Sequence, residues 1–301
     1  MVKFMIVVSV GCGLGNQMFE LAFARCLKKF FPNQYIKLDV KYAFPSVHNG
    51  IEVFKIFGLQ EEIASLNDVN SLTKGFFLQG DRFEKRGIFD RVINSIVCHL
   101  SLYPSSFFIQ KDFTEYYQKF FDINVSKDYY FYGVFANHNY FRCIDDEIKK
   151  LYTFPKIEGK KNSVVLDSIL ESNSVSIHVR RGDYVKYNVE LVSLDYYKKA
   201  ISYIENKVIN PKYFVFSDDL EFSKKLFGNK SNVLYVEGND GKNSYIDMQL
   251  MSLCKHNIIA NSSFSFWGAF LNNNTSKIVI YPNLPYTGCA KPFACDDWIT
   301  V

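Results

Sequence analysis

The sequence holds little that would commit it to disulfide, metal, membrane or nucleic-acid chemistry. Its 7 cysteines are odd in number and scattered, at 12, 26, 98, 143, 254, 289 and 295, with no CxxC pair and no Cys/His cluster at zinc spacing. A disulfide framework and a structural zinc are thereby excluded, and the thiols read as those of a reduced, cytoplasmic protein. No apolar stretch approaches the roughly 18 residues of a membrane span. The apolar run Phe4–Val10 is short and leads into glycines instead of a small-residue cleavage site, so it reads as a buried strand and not as a signal peptide. Lys and Arg number 35 against 31 Asp and Glu, a net charge of +4, and no basic block occurs. The Lys-Lys pairs at 28–29, 149–150, 160–161, 198–199 and 224–225 fit solvated helix faces, which leaves no footprint for nucleic acid.

What the chain does have is apolar material: 48% of its 301 residues are hydrophobic and 17% aromatic. That length lies near the size at which one core divides, so two domains are expected. Strand and helix signals alternate. Phe4–Val10 is a strand and Gly11-Cys12-Gly13-Leu14-Gly15 a turn. Residues 16–29 form a helix, apolar nearly all round, that Lys28, Lys29 and Pro32 bring to its end; Tyr35–Val40 is a second strand. This βαβ opening predicts an α/β fold with parallel pairing. Residues 45–165 have mixed periodicity, and their many Phe and Tyr side chains read as core more than as a binding platform. A boundary in the polar, lysine-rich Pro155–Asn162 gives domains 1–155 and 156–301. The second domain has strands at Val175–Val179, Tyr213–Phe216, Ile258–Ala260 and Ile278–Tyr281. Helices follow Ser193 and Asp219, a capping box at Ser244–Asp247 opens another, and the tail to Trp298 is irregular.

The polar residues of interest gather at strand ends. Alternation places Val175, Ile177 and Val179 on one face and Ser176, His178 and Arg180 on the other, with Arg181, Gly182 and Asp183 in the following turn. Ser217-Asp218-Asp219 ends the next strand, and Asn261-Ser262-Ser263-Phe264-Ser265 ends a third. Singly, each admits a structural reading: a core histidine, an Arg/Asp ion network, helix caps. Together they put two arginines, carboxylates and hydroxyls on the one edge of an open parallel sheet where ligands bind, and a nucleotide diphosphate fits that set. Gly11-Cys12-Gly13 with Asp39 imitates a dinucleotide fingerprint, but Asn16 stands where its third glycine would fall. Asn16 and Gln17 instead offer polar side chains at a helix N-terminus, a setting that suits an anion or a sugar hydroxyl.

Several segments in order carry a resemblance to the inverting α-1,2-fucosyltransferases of glycosyltransferase family 11. They are Gly13-Leu14-Gly15-Asn16-Gln17-Met18-Phe19, Gly133-Val134-Phe135 through Tyr140-Phe141, His178-Val179-Arg180-Arg181-Gly182-Asp183-Tyr184-Val185, Phe216-Ser217-Asp218-Asp219, and Asn261-Ser262-Ser263-Phe264-Ser265-Phe266-Trp267-Gly268-Ala269. The chain departs from the pattern at Cys12, where Gly is usual, at Glu20-Leu21, where Gln-Tyr is common, and at Phe222 and Phe266, where Trp is frequent. The changes near residue 20 bear on the acceptor side.

The resemblance implies a GT-B-like enzyme: two Rossmann-like domains whose parallel sheets face a cleft, 1–155 on the acceptor side and 156–301 holding GDP-β-L-fucose. His178 with Asp218 or Asp219 would read the guanine, Arg180 would bind the β-phosphate beside Arg181, and Ser262 and Ser263 would meet phosphate oxygens. Asn261 and Ser265 would complete the donor site, the Gly13–Asn16 turn, with Gly15, would close on it, and Asn16 and Gln17 would face the acceptor. Inversion calls for a base near the acceptor hydroxyl. Asp183 is the candidate, with orientation of an arginine as its alternative role and Glu190 as an alternative base. The DxD motif common in metal-dependent glycosyltransferases is absent, so no metal and no cofactor besides the donor is expected. The implied acceptor is a galactose-terminated oligosaccharide of a bacterial surface polysaccharide such as an O-antigen; an anchor like that of the Golgi enzymes is not expected, and a lipid-linked acceptor would bring the enzyme to a membrane surface. A fucosyltransferase of other regiochemistry, an NAD(P)-dependent oxidoreductase and a non-catalytic sugar- or nucleotide-binding protein stay open as alternatives.

Overall fold

The computed structural model describes residues 4–40, 49–73 and 104–301; Cys98 and part of the mixed-periodicity region lie outside them. The chain divides into two compact units, Met1–Leu151 and Tyr152–Val301, against the boundary expected at 155/156. Among the described residues, no helix is long and apolar enough to cross a membrane.

In the first unit, strand β1 (Met5–Ser9) leads through the glycine turn into helix α1 (Leu14–Phe30), and β2 (Tyr35–Asp39) returns beside β1 in parallel. Helices α2 (Val53–Phe57) and α3 (Leu66–Thr73), strands β3 (Phe107–Ile109) and β4 (Tyr129–Tyr132), and helix α4 (Asp145–Leu151) follow, with one-turn 3₁₀ helices between β3 and α4. The sheet is all parallel in the order β2-β1-β4-β3. α1 is buried along most of its length because its apolar residues occupy nearly every face. From it Phe23 stacks on Phe135 at 4.0 Å and meets Phe120, Phe131 and Tyr140 edge-on or tilted. The aromatics whose periodicity is hard to read in the sequence are therefore the core of this unit. Ring packing this dense also holds Phe135 at φ 54, a left-handed conformation costly for a bulky side chain.

The second unit opens with helix α5 (Lys160–Leu170), whose first turn overlaps the polar boundary expected at Pro155–Asn162. Val165 and Ile169 alone are buried on it, which is why so polar a segment hides its helix. Strand β5 (Asn173–Val179), helices α6 (Gly182–Lys186) and α7 (Leu194–Glu205), strand β6 (Pro211–Ser217), helix α8 (Leu220–Phe227) and strand β7 (Val233–Tyr235) follow. Then come helix α9 (Tyr245–Leu253), strand β8 (His256–Ile258), helix α10 (Ser263–Phe270) and strands β9 (Val279–Tyr281) and β10 (Ile299–Thr300). β8 ends two residues before the expected Ala260, since the chain there bends into the Ser262 cap of α10. The tail, expected to be irregular, adds β10 to the sheet edge.

All six strands run parallel in the order β10-β9-β8-β5-β6-β7. One face is the predicted apolar one: Val175, Ile177 and Val179 pack with Tyr197, Ala200 and Ile204 of α7. The other face is buried as well, and its polar residues are satisfied internally. Asn257 Nδ2 donates to Ser176 Oγ at 2.8 Å, and Asn272 Nδ2 to Asn257 Oδ1 at 2.8 Å. Ser176 thus belongs to a buried amide–hydroxyl lattice, while His178 and Arg180 emerge at the strand end.

Removing the Phe23 ring opens a cavity among Phe120, Phe121, Phe131, Phe135 and Tyr140. Phe23→Ala is expected to lower stability by about 3–5 kcal/mol, read as a shift of the urea midpoint; a loss under about 1 kcal/mol would show that the cluster does not hold this unit.

Candidate active site

Counted within its own unit, the second sheet has the doubly wound order 3-2-1-4-5-6, and that order reverses between β5 and β8. Ligands of such sheets bind outside the carboxyl ends at this reversal. The three polar clusters lie there: His178 to Asp183 after β5, Asp218 and Asp219 after β6, and Asn261 to Ser265 after β8. The register Val179↔Ser217 carries Arg180 beside Asp218. Arg180 Nη1 lies 3.0 Å from Asp218 Oδ2, and its Nη2 lies 2.8 Å from Asp183 Oδ2. Arg181 donates from Nε to Asp219 Oδ2 at 3.0 Å and from its backbone N–H to Asp218 Oδ1 at 2.8 Å. Its guanidinium lies over the Phe222 ring at 3.7 Å, so an aromatic of either kind at 222 serves the cation. Gly182 suits this crowding, because a Cβ there would stand 3.0 Å from Asp218 Oδ2 and the carboxylate would have to give way.

Tyrosines strut the edge. Tyr184 Oη donates to the Asn261 carbonyl at 2.9 Å, tying the β5 turn to the β8 turn, and Tyr197 Oη donates to the His178 carbonyl at 3.0 Å. The Tyr184 ring also lies 5.5 Å from the Arg180 guanidinium. His178 tilts against Phe264 of α10 with centroids 5.8 Å apart. Burial, helped by the Arg180 charge, lowers the His178 pKa to about 3, so its ring is neutral and serves as a hydrogen-bonding group. Burial opposes the Arg180 charge too, but Asp218 and Asp183 outweigh it and hold the guanidinium above its ordinary value.

Four buried polar atoms without a protein partner among the described residues lie on this edge: His178 Nδ1, Arg180 Nε, Asp183 Oδ1 and Asn261 Oδ1. Native proteins rarely leave such atoms unpaired, so four on one edge suit a polar ligand or ordered water. A cavity of about 920 Å³ exists elsewhere, at the opposite ends of β5 and β6, where Asn173, Glu205 and Lys212 line it. It is wide open and holds none of these unpaired atoms, so it is not the site.

The expected residues do not all serve alike. Ser262 caps α10, accepting from Phe264 N at 3.3 Å, and Ser263 is its first residue. Ser265 is fully buried and bonds the backbone of Ala260 and Ser262, which shapes the turn. Asp219 caps α8 through Phe222 N at 3.0 Å besides pairing with Arg181. Asp218 and Asp219 thus have both oxygens engaged. Gly13, Gly15, Asn16 and Gln17 belong to the other unit. Gly13 precedes α1 and Gly15 is buried in its first turn. The Asn16 side chain bonds the Cys12 thiol, whose pKa is pushed up to about 12 by burial and by Glu20. Cys12 itself sits at φ 59, which explains the usual glycine there. Gln17, expected on the acceptor side, is fully buried. Its Nε2 donates to the Cys12 and Gly50 carbonyls at 2.8 Å, and its Oε1 accepts from Glu52 N at 2.9 Å and Val53 N at 3.2 Å. It is the peg of the glycine turn. Asp39, the ribose reader of an NAD(P) site, is buried with Tyr130 Oη donating to it at 2.8 Å.

One acidic residue takes a different part from the expected one. Ser244 makes no side-chain cap to α9, and Asp247 is not the far member of a capping box. A one-turn 3₁₀ helix, Gly241–Asn243, runs into α9 and leaves Ser244 helical, which removes the geometry of a cap. Asp247 Oδ1 accepts instead from Asn239 Nδ2 at 2.7 Å, and Asn239 exchanges amide bonds with Asn162 at 2.9 and 3.1 Å. Burial raises the Asp247 pKa to about 7. The loop holding Asn239 follows β7, on the same edge as the arginines. Only the mixed Asn/Asp/Gly run after a strand signalled it in the sequence.

Comparison with known proteins places the chain among glycosyltransferases. The family model described as "Glycosyl transferase family 11" matches residues 92–299. An alpha-1,2-colitosyltransferase of Escherichia coli is 33% identical over 92% of this chain and 91% of its own. The O-antigen biosynthesis glycosyltransferase WbnK of Escherichia coli is 42% identical over 43% of this chain and 45% of its own, and the mouse galactoside 2-alpha-L-fucosyltransferase Sec1 is 27% identical over 43% and 38%. Among solved structures, NodZ alpha-1,6-fucosyltransferase soaked with GDP-fucose aligns at a TM-score of 0.48 and 15% identity, over 90% of this chain and 93% of its own.

The raised Asp247 pKa has a signed consequence. The folded state keeps a proton that the unfolded chain gives up near pH 4, so this contribution to stability is complete below that pH and is lost as the pH rises through about 7. Asp247→Asn keeps the Asn239 bond and removes the titration. Its stability advantage over the parent is expected to grow from near zero at pH 4 to roughly 2–4 kcal/mol at pH 8, measured by urea unfolding; a pH-independent difference would refute the buried proton.

Proposed function

The chain belongs to glycosyltransferase family 11, and from that premise we propose that it is an inverting galactoside α-1,2-fucosyltransferase that needs no metal. It moves L-fucose from GDP-β-L-fucose to the 2-hydroxyl of a terminal galactose. The observation that carries this reading is the Arg180 guanidinium at the strand-order reversal, ringed by unpaired buried polar atoms. The similarity to an alpha-1,2-colitosyltransferase and to a galactoside 2-alpha-L-fucosyltransferase supports the α-1,2 linkage and the galactoside acceptor.

In this reading the acceptor oxygen forms a bond to the anomeric carbon while the bond from that carbon to the β-phosphate oxygen breaks. The electron pair leaves with GDP, and the acceptor's proton passes to a carboxylate. Arg180 faces the charge that builds on the departing phosphate, where a half-buried guanidinium stabilises the transition state more than the ground state. Two parallel N–H donors make Arg fit a phosphate, which Lys would do poorly. Arg181 and the positive end of α10 at Ser262–Ser263 add to the field. Asp183, through its unpaired Oδ1, takes the proton. Asp218 and Asp219 hold the two arginines, so the guanine falls to neutral His178 and to the Asp247–Asn239 pair, whose acceptor oxygens suit a purine edge rich in N–H donors. Gln17 sets the glycine turn of Gly13, Gly15 and Asn16 in the first unit.

The similarity to a colitosyltransferase supports a second reading of the donor alone, with colitosyl in place of fucosyl and the same roles for these residues. GDP release from GDP-fucose and from GDP-colitose, with lactose and in excess EDTA, separates the two; linkage analysis of the product fixes the position. Strict dependence on an added divalent cation would overturn the metal-free mechanism. Arg180→Ala is expected to cut kcat by about a hundredfold or more, equivalent to about 3 kcal/mol; near-normal turnover in the folded variant would remove Arg180 from the chemistry.

A further inference from the structure

Without donor, the edge that is to bind a diphosphate carries two guanidinium groups against three carboxylates: Arg180 and Arg181 with Asp183, Asp218 and Asp219. Its local charge is negative, which opposes an incoming anion. Either one carboxylate yields its place, or binding is weak. The three are not equally held. Asp219 is a helix cap as well as an ion pair. Asp218 accepts from the Arg181 backbone N–H through the oxygen that does not face Arg180, and Gly182 lies against it. Asp183 touches the guanidinium through Oδ2 alone, and its Oδ1 is buried without a partner among the described residues.

The fork of Arg180 tells which edge is contested. Nη1 belongs to Asp218. Nε and Nη2 form the other two-donor edge, the one a phosphate takes side-on; Nε is unpartnered, and Asp183 closes only Nη2. We propose that Asp183 is a displaceable counter-ion: the donor diphosphate takes the Nε–Nη2 edge of Arg180, and the carboxylate it releases becomes the base that accepts the acceptor's proton. The inference rests on the donor-site reading above. It makes base activation a consequence of donor binding, so an acceptor hydroxyl meets a free carboxylate only when a donor is present. After transfer the protonated Asp183 no longer competes for Arg180. Losing its proton to water, it recaptures Nη2 and hastens GDP release.

The two aspartates on one arginine then have opposite effects on nucleotide affinity. GDP binding is measured by calorimetry on the parent, Asp183→Asn, Asp218→Asn and the control Asp195→Asn, which deletes one negative charge at an exposed Lys199 pair. Asp183→Asn should bind GDP roughly threefold to tenfold tighter while turnover with lactose is lost; Asp218→Asn should bind it more weakly, and Asp195→Asn should match the parent. Equal or weaker GDP binding by folded Asp183→Asn overturns the proposal, as does equal tightening by Asp195→Asn, which would reduce the effect to net charge. Should Asp218→Asn not fold, Asp183→Asn against the parent and the control still decides. Absence of GDP binding by the parent would instead overturn the donor-site reading.

Discussion

A guanidinium shared by two carboxylates at the point where a parallel sheet reverses its strand order organises the second unit. Arg180 can stand there because β5 and β6 pair in a register that brings Asp218 alongside it, and because the turn after β5 folds Asp183 back within 2.8 Å. Much of the surrounding sequence serves that placement. Gly182 leaves room for Asp218, Tyr184 ties the turn to Asn261, and Phe222 lies under Arg181. A half-buried charge is favoured by pairing, and that pairing is what a diphosphate must enter.

The catalytic proposal and the packing are linked through burial. The low dielectric that keeps His178 neutral also strengthens the pull of Arg180 on its carboxylates. The same burial pushes the Asp247 pKa up to about 7, so the edge presents two cationic groups, one neutral ring and one switchable carboxyl within a single strand-end array. In the first unit the glycine turn is held from beneath. Gln17 anchors the Cys12 carbonyl, and the buried Glu20 carboxyl accepts from Gly11 N at 2.8 Å with its pKa pushed up by desolvation. Two side chains one helical turn apart on α1 thereby set a backbone that Cys12 would not adopt unaided.

Much of the second unit was legible because its strands are short apolar runs with polar residues at one end, a pattern few other folds produce. The three clusters could be located from alternation and turn residues alone, and His178-Val179-Arg180-Arg181-Gly182-Asp183 marks the family. The roles within the clusters were less legible. Ser265 and Gln17 look like binding residues because hydroxyl and amide side chains suit a ligand and a turn equally well, and only their backbone partners separate the two uses. Asp247 looks like a cap because spacing alone cannot show that Ser244 is already helical. Helix α5 and strand β10 escaped notice since their stability comes from tertiary packing and ladder pairing, not from local periodicity.

By itself the sequence determined the α/β class, the parallel pairing, the family, and the set of residues from which a donor site could be built, since these follow from periodicity, turn chemistry and short motifs. The tertiary structure alone decided which carboxylate pairs with which arginine, which buried atoms stay unpaired, and that Asp183 holds Arg180 by one oxygen while Asp218 is anchored at both. Those are distances between segments tens of residues apart, fixed by the β5–β6 register and by burial, and no local pattern encodes them.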